Sequence, residues 1–235
     1  MDQLIERHPL QRLPSPSRGL SALVHALGLA SFAYSFNYLV AHPNDINQAY
    51  GWHFQYLTII GLTLATVTFV LALAADTTLS PRLFAAKNIL SMCSAPMEVL
   101  ISVLYWGLRS IDPELVVPKE LELPVSADLS FHLAPSVLLL VDILLLSPPW
   151  TISIMPAVGL SVVIAFLYWY WIELCFQYNG FYPYPLFGML ETPQRAGLFV
   201  GSAVIMAANT MVLKWLHGRV NGVGKKSVDR PGKVN

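Results

Sequence analysis

The sequence predicts an all-α polytopic membrane bundle of six transmembrane helices, with both termini in the cytosol. Three observations carry this expectation. Of 235 residues, 55% are hydrophobic and only 12% are charged, about half the ~25% charge usual in soluble domains. Six apolar stretches approach or exceed the roughly 20 helical residues needed to cross a hydrocarbon core about 30 Å thick. The Lys and Arg residues fall mostly on one side of the resulting topology. Lipid-facing open sheets and irregular chain are excluded in hydrocarbon, so each stretch reads as a helix.

The N-terminal segment, residues 1–18, is polar and contains Pro and Ser. A cleaved signal peptide becomes apolar earlier, so the first apolar run reads as a retained helix. The predicted spans are Gly19–Val40, Phe54–Ala75, Asn88–Leu108, Leu129–Leu146, Ile152–Phe176 and Ala196–Leu216. Residues 19–217 thus form one six-helix domain, and no internal repeat or second domain is visible. The stretch "SPPW" reads as a tight turn between the fourth and fifth spans, and the longest connection runs from Arg109 to Asp128. The basic tail, residues 218–235, contains Gly and little apolar surface and is expected to be disordered.

Six spans put both termini on one side. That side carries eleven Lys and Arg residues, Lys87 among them, against three on the other. Positive loops stay cytosolic, which fixes the expected orientation. A formal net charge of zero gives no reason to expect a nucleic-acid partner. Cys93 and Cys175 each lie within an apolar run, far from a second thiol, which argues against a disulfide scaffold. His25, His53 and His132 are scattered, so no metal site or haem and no other cofactor is expected. There is no Gly-rich phosphate loop and no Gly-x-Ser-x-Gly elbow.

Polar residues within the spans are the candidates for chemistry. Thr58, in "WHFQYLTIIGL", stands about one turn into the second span, and His132 three residues into the fourth. Both spans begin on the outer side, so the two residues lie about 5–6 Å below one interface. Asn37, Arg109 and Glu173 lie near the outer ends of other spans. Thr58 reads either as a nucleophile or as an ordinary hydroxyl bonded to its own helix. His132 reads either as the base that takes a hydroxyl proton or as an interfacial histidine. Asp128, one turn before His132, and Glu173 are alternative carboxylates to orient the imidazole. Glu98 and Asp142 are intramembrane acids without an assigned role, which read either as functional-site candidates or, for Asp142, as a group with a structural partner such as Asn88 or Asn209.

Four stretches resemble the androgen-induced protein family, which includes the androgen-dependent regulator of tissue factor pathway inhibitor. "YLTIIG" resembles the family's Tyr-Leu-Thr-Phe start of the second helix, and "PELVVPKE" its Glu-Leu-Val-Tyr-Pro-Lys segment. "LSFHLAPSVLLLVD" resembles the following helix, where His132 matches the second His of Asn-His-x-x-His and Asp142 a family acid. "GFYPYPLF" is similar to its Gly-x-Trp-x-Tyr-Pro turn. The chain departs from the pattern at Leu129, Leu133 and Tyr182, where the family has His, Thr and Trp.

The resemblance implies a six-span membrane protein that hydrolyses fatty acid esters of hydroxy fatty acids, with Thr58 and His132 as the essential pair. A branched lipid ester is then the expected substrate and membrane lipids the expected surroundings. The endoplasmic reticulum or plasma membrane is the expected address. Gln55, Tyr56, Asn37 and Arg109 are candidates to stabilise an oxyanion, and the long third loop is a candidate shield over the site. The competing class is a non-catalytic transporter or lipid-binding protein built around Glu98 and Asp142.

Overall fold

The computed structural model describes residues 8–222. Among these the chain is all-helical, with five helices long and apolar enough to cross a membrane, or six when one bent pair is counted as a single span. Helix α1 is Leu20–Ala41, α2 Leu57–Thr78, α3 Pro81–Ile111, α4 Val125–His132, α5 Ala134–Val141, α6 Ile154–Asn179, α7 the short Pro185–Met189 and α8 Thr192–Asn221. Helix α2 packs between α1 and α3, and α8 packs on α3 and α6. The bent pair α4–α5 fills the space beside α1, α2 and α3. Phe32, Leu62, Phe69, Leu139 and Ile143 are fully buried where these helices meet. Val163, Phe166, Leu167 and Val204 are more than half exposed, which suits hydrocarbon rather than water.

Several boundaries differ from the sequence reading for local reasons. The second connection shrinks to Leu79 and Ser80. Ser80 caps α3 by accepting from the Leu83 amide at 3.4 Å, and Pro81 takes the first helical position. Helix α3 is therefore 31 residues long and includes Lys87, which is fully buried. Buried, Lys87 no longer counts as a loop charge, which leaves ten Lys and Arg on the predicted cytosolic side against three on the other. At the other end of the chain α8 runs on to Asn221, so the tail begins as helix. Residues 1–7 and 223–235, which hold the rest of both predicted terminal segments, lie outside the described residues.

The stretch predicted as the fourth span is broken rather than straight. Pro135 lacks an amide proton and its ring crowds the carbonyl four residues back. The helix stops at His132, bends by 44° and resumes at Ala134. Helix α3 satisfies the interruption: the Ser102 hydroxyl donates to the His132 carbonyl and lies 2.8 Å from the Ser136 hydroxyl. After α5 the chain makes a wide π turn over Asp142–Leu146.

That turn carries Asp142 into a buried polar network at the end of the bundle away from Thr58. Lys87 Nζ lies 2.5 Å from Asp142 Oδ1 and donates to Ser147 Oγ at 2.9 Å. His25 bridges Asp76 at 2.6 Å and Asp142 at 3.0 Å. Asp76 also accepts from the Ser17 amide and the Ser21 hydroxyl, which docks the N-terminal segment beneath α1. The partners of Asp142 are thus Lys87 and His25, not Asn88 or Asn209. Removing either charge would strand the others out of water, and such a loss costs about 3–5 kcal/mol.

Candidate active site

Thr58 is the second residue of α2, not one turn inside it. The chain reaches it through a left-handed turn at Gly51 (φ 84°) and Trp52 (φ 48°), then one 3₁₀ turn over Trp52–Gln55. A side chain at Gly51 would be strained and would place its Cβ 2.8 Å from Cys175 Sγ. This position distinguishes Thr58 from its neighbours. Thr63, Thr66 and Thr68 each donate to the carbonyl four residues back, at 2.7, 2.7 and 2.8 Å. Four residues before Thr58 is Phe54, which precedes the helix, so the α-helical back-bond open to the others is not built there.

The polar groups around Thr58 come from α6 and from the turn before α7. The Leu57 amide donates to the phenol oxygens of Tyr184 at 3.1 Å and Tyr168 at 3.2 Å. Tyr168 donates in turn to the Gln55 carbonyl at 2.9 Å. The Tyr184 phenol also interacts with the Thr58 side chain and amide. Burial raises its pKa above the ordinary tyrosine range, so it remains a proton donor. The Leu57 amide, which has no carbonyl of its own helix to bond, is thus satisfied by two phenols, and this places Tyr184 beside Thr58.

His132 is held from behind. Its Nδ1–H donates to Asp128 Oδ1 at 2.9 Å, one turn earlier on α4. That bond fixes the tautomer and leaves Nε2 as the basic nitrogen. Asp128 is itself buried, accepts from the Tyr105 phenol and lies 3.7 Å from Arg109 Nη1. The same guanidinium donates to Tyr105 at 3.1 Å. The Tyr105 ring stacks flat on the imidazole, with centroids 3.4 Å apart and planes within 4°. Tyr105 was not singled out in the sequence. Its position four residues before Arg109 on one helical face is the only signal that could have found it.

Two cavities meet at this point. The larger, about 900 Å³ of empty space with its open mouth included, follows α3 from Leu108 to Met97 and is walled by α6 and α8. The smaller, about 630 Å³ with its open mouth likewise included, lies under the loops and is lined by Asn44, His53, Pro118, Leu121, Phe131 and His132. Thr58, Tyr105, Val116 and Tyr184 line both. His132 lines only the smaller. Val116, Val117 and Pro118, in the long third loop, form part of the wall of the smaller cavity.

Other sequence candidates fall elsewhere. Asn37 is exposed on α1 and lines neither cavity. Glu173 accepts from Trp169 Nε1 at 3.1 Å and Tyr182 at 2.9 Å, and pairs with Arg195 at 3.3 Å. It anchors the turn that presents Tyr184 rather than touching His132. Gln55 is buried, with Nε2 bonded to the Trp52 carbonyl at 3.1 Å. Glu98 is buried against Gly61, and neither it nor Asp142 lines these cavities. No group of three or more His, Cys, Asp and Glu side chains suited to a metal ion occurs among the described residues.

Comparison with known proteins places this geometry in context. A family model described as FAR-17a/AIG1-like protein matches residues 20–218. A UPF0641 membrane protein of Schizosaccharomyces pombe is 36% identical over 207 residues, covering 86% of this chain and 92% of that protein. No solved structure matches the chain. The family match spans all the membrane helices, from the first residue of α1 to within a turn of the end of α8, and on that ground the chain belongs to the FAR-17a/AIG1-like family.

Proposed function

We propose that the chain is an intramembrane lipid ester hydrolase that cleaves fatty acid esters of hydroxy fatty acids, with Thr58 as nucleophile and His132 as general base. One observation carries the reading: Thr58, free of the usual threonine back-bond, lines the same cavity as a histidine whose far nitrogen is bound to a buried carboxylate. A threonine hydroxyl is a poor nucleophile unless an adjacent base takes its proton. His132 Nε2 accepts that proton as Thr58 Oγ1 attacks the ester carbonyl. The bond to the leaving oxygen breaks and His132 returns the proton to it, releasing the hydroxy acid. Water then attacks the acyl-threonine, gives its proton to His132, and Thr58 recovers it as the fatty acid leaves. Asp128 stabilises the imidazolium formed in both halves. The Tyr184 phenol, whose oxygen is held by the Leu57 amide, is the donor for the carbonyl oxygen as it gains charge.

The apolar lining of both cavities supports a lipid substrate, since burying hydrocarbon is worth about 0.8 kcal/mol per CH₂. The excess of Lys and Arg on one face supports termini in the cytosol. The test is release of hydroxy fatty acid from a branched ester by protein purified in detergent. Wild type should be active, and Thr58→Ala and His132→Ala should be inactive while still folded. A wild type inert toward such esters, or an active Thr58→Ala, would turn attention to a non-catalytic lipid-binding or transport role.

A further inference from the structure

The two cavities differ in one respect that bears on how a two-chain ester lies in the site. Thr58 lines both, whereas His132 lines only the smaller. The base that takes the nucleophile's proton must hand it to the leaving oxygen. The leaving oxygen therefore has to be on the side of His132. The carbon chain on the other side of the carbonyl must then diverge from it, and the space continuous with Thr58 in that direction is the larger cavity. Resting on the hydrolase reading, we propose that the larger cavity is the acyl-chain subsite and the smaller cavity holds the leaving hydroxy-acid chain.

The two walls match the two chains. The larger cavity descends along α3 from Leu108 to Met97, about 16 Å toward the middle of the bundle. Its lining is almost wholly hydrocarbon and aromatic, with Met97, Ile164, Phe199 and Met206 among its residues. A saturated acyl chain needs nothing more. The smaller cavity ends among loop residues, with Asn44, Pro118 and Leu121 in its wall. These loops connect spans at the membrane surface. A hydroxy fatty acid carries a carboxylate that must stay hydrated, and the loop end gives it access to water. Tyr105, Val116 and Tyr184, shared by both cavities, form the collar through which the ester group passes.

The assignment separates two specificities that would otherwise change together. Ser202, on α8, lines the larger cavity only, and Leu121, in the third loop, lines the smaller only. Ser202→Phe fills the larger cavity; Ser202→Leu is a milder block should the first variant not fold. The substrates are two ester series, one with the acyl chain shortened from palmitoyl to butyryl and one with the hydroxy acid shortened. Each methylene kept out of its site loses about fourfold in kcat/KM. The Ser202 variants should lower kcat/KM for palmitoyl esters at least tenfold, leave butyryl esters within about twofold, and keep the wild-type response to the hydroxy acid. Leu121→Trp should show the reverse pattern. Selectivity against the hydroxy-acid chain in the Ser202 variants would overturn the assignment, as would equal losses on all esters by folded protein. A wild type that hydrolyses none of the esters would instead remove the hydrolase reading, and this assignment with it.

Discussion

Asp128→Asn is the substitution that separates a working histidine from a packed one. The change keeps shape and removes charge. In the wild-type site the carboxylate accepts from His132 Nδ1 at 2.9 Å and from Tyr105, and lies 3.7 Å from Arg109. An amide at this position can present its NH₂ to Nδ1, which would move the ring proton to Nε2 and leave no base facing the cavity. The equivalent change in a Ser-His-Asp triad costs about 10⁴ in kcat. A loss of about 10³–10⁴ is expected here, equal to about 4–5 kcal/mol of transition-state stabilisation. Asp128 lines neither cavity, so KM should change little. The assay is hydroxy-acid release with kcat and KM measured separately, beside thermal unfolding in the same detergent. Arg109→Gln serves as the comparison: it removes a neighbour of Asp128 but not the bond to His132, and a loss nearer tenfold is expected. A folded Asp128→Asn variant that keeps more than about a tenth of kcat would refute the reasoning that Asp128 sets the tautomer of His132.

Tyr184→Phe keeps the ring that lines both cavities and deletes the donor beside Thr58; kcat should fall about 10²–10³ with KM nearly unchanged, and an unaltered kcat would remove Tyr184 from the mechanism. Gly61→Val should lower thermal stability, because even its Cβ would stand 2.6 Å from Ile101 Cδ1 and 2.7 Å from Glu98 Oε1. Overpacking of this kind costs about 1–3 kcal/mol, and an unchanged unfolding temperature would contradict so close an approach of α2 and α3. Lys87→Met strands Asp142 beside His25 and should destabilise by about 3–5 kcal/mol, with much of the loss recovered when Asp142→Leu is added.

The spans were legible because bilayer thickness imposes a length on apolar runs that no local detail overrides. Their ends were less so. The Ser80–Pro81 pair is a strong start signal for α3, but it lies inside a stretch that reads as a polar loop. Lys87 therefore passed for a loop cation. Only the tertiary fold, which brings Asp142 and Ser147 to its ammonium group, shows why a charge can sit there. Pro135 was visible in "HLAPS" and marks the break that leaves His132 at a helix end, yet hydropathy runs through it without interruption. Of the site, the relation of Asp128 to His132 was readable because four residues make one helical turn. Tyr105 and Tyr184 were not, because each approaches through a crossing of elements distant in sequence. Tyr184 belongs to "GFYPYPLF", whose wording suggested only a turn. What aims it at α2 is the anchoring of that turn through Glu173, Tyr182 and Arg195.

The most direct test of the central claim is to quench wild-type protein with acid during turnover of a branched ester and map the covalent adduct by mass spectrometry. The account predicts that the peptide containing Thr58 carries the mass of the fatty acyl group, and that the adduct is absent from Thr58→Ala and from His132→Ala. Sustained hydrolysis with the acyl group on another residue, or hydrolysis unimpaired in Thr58→Ala, would contradict it.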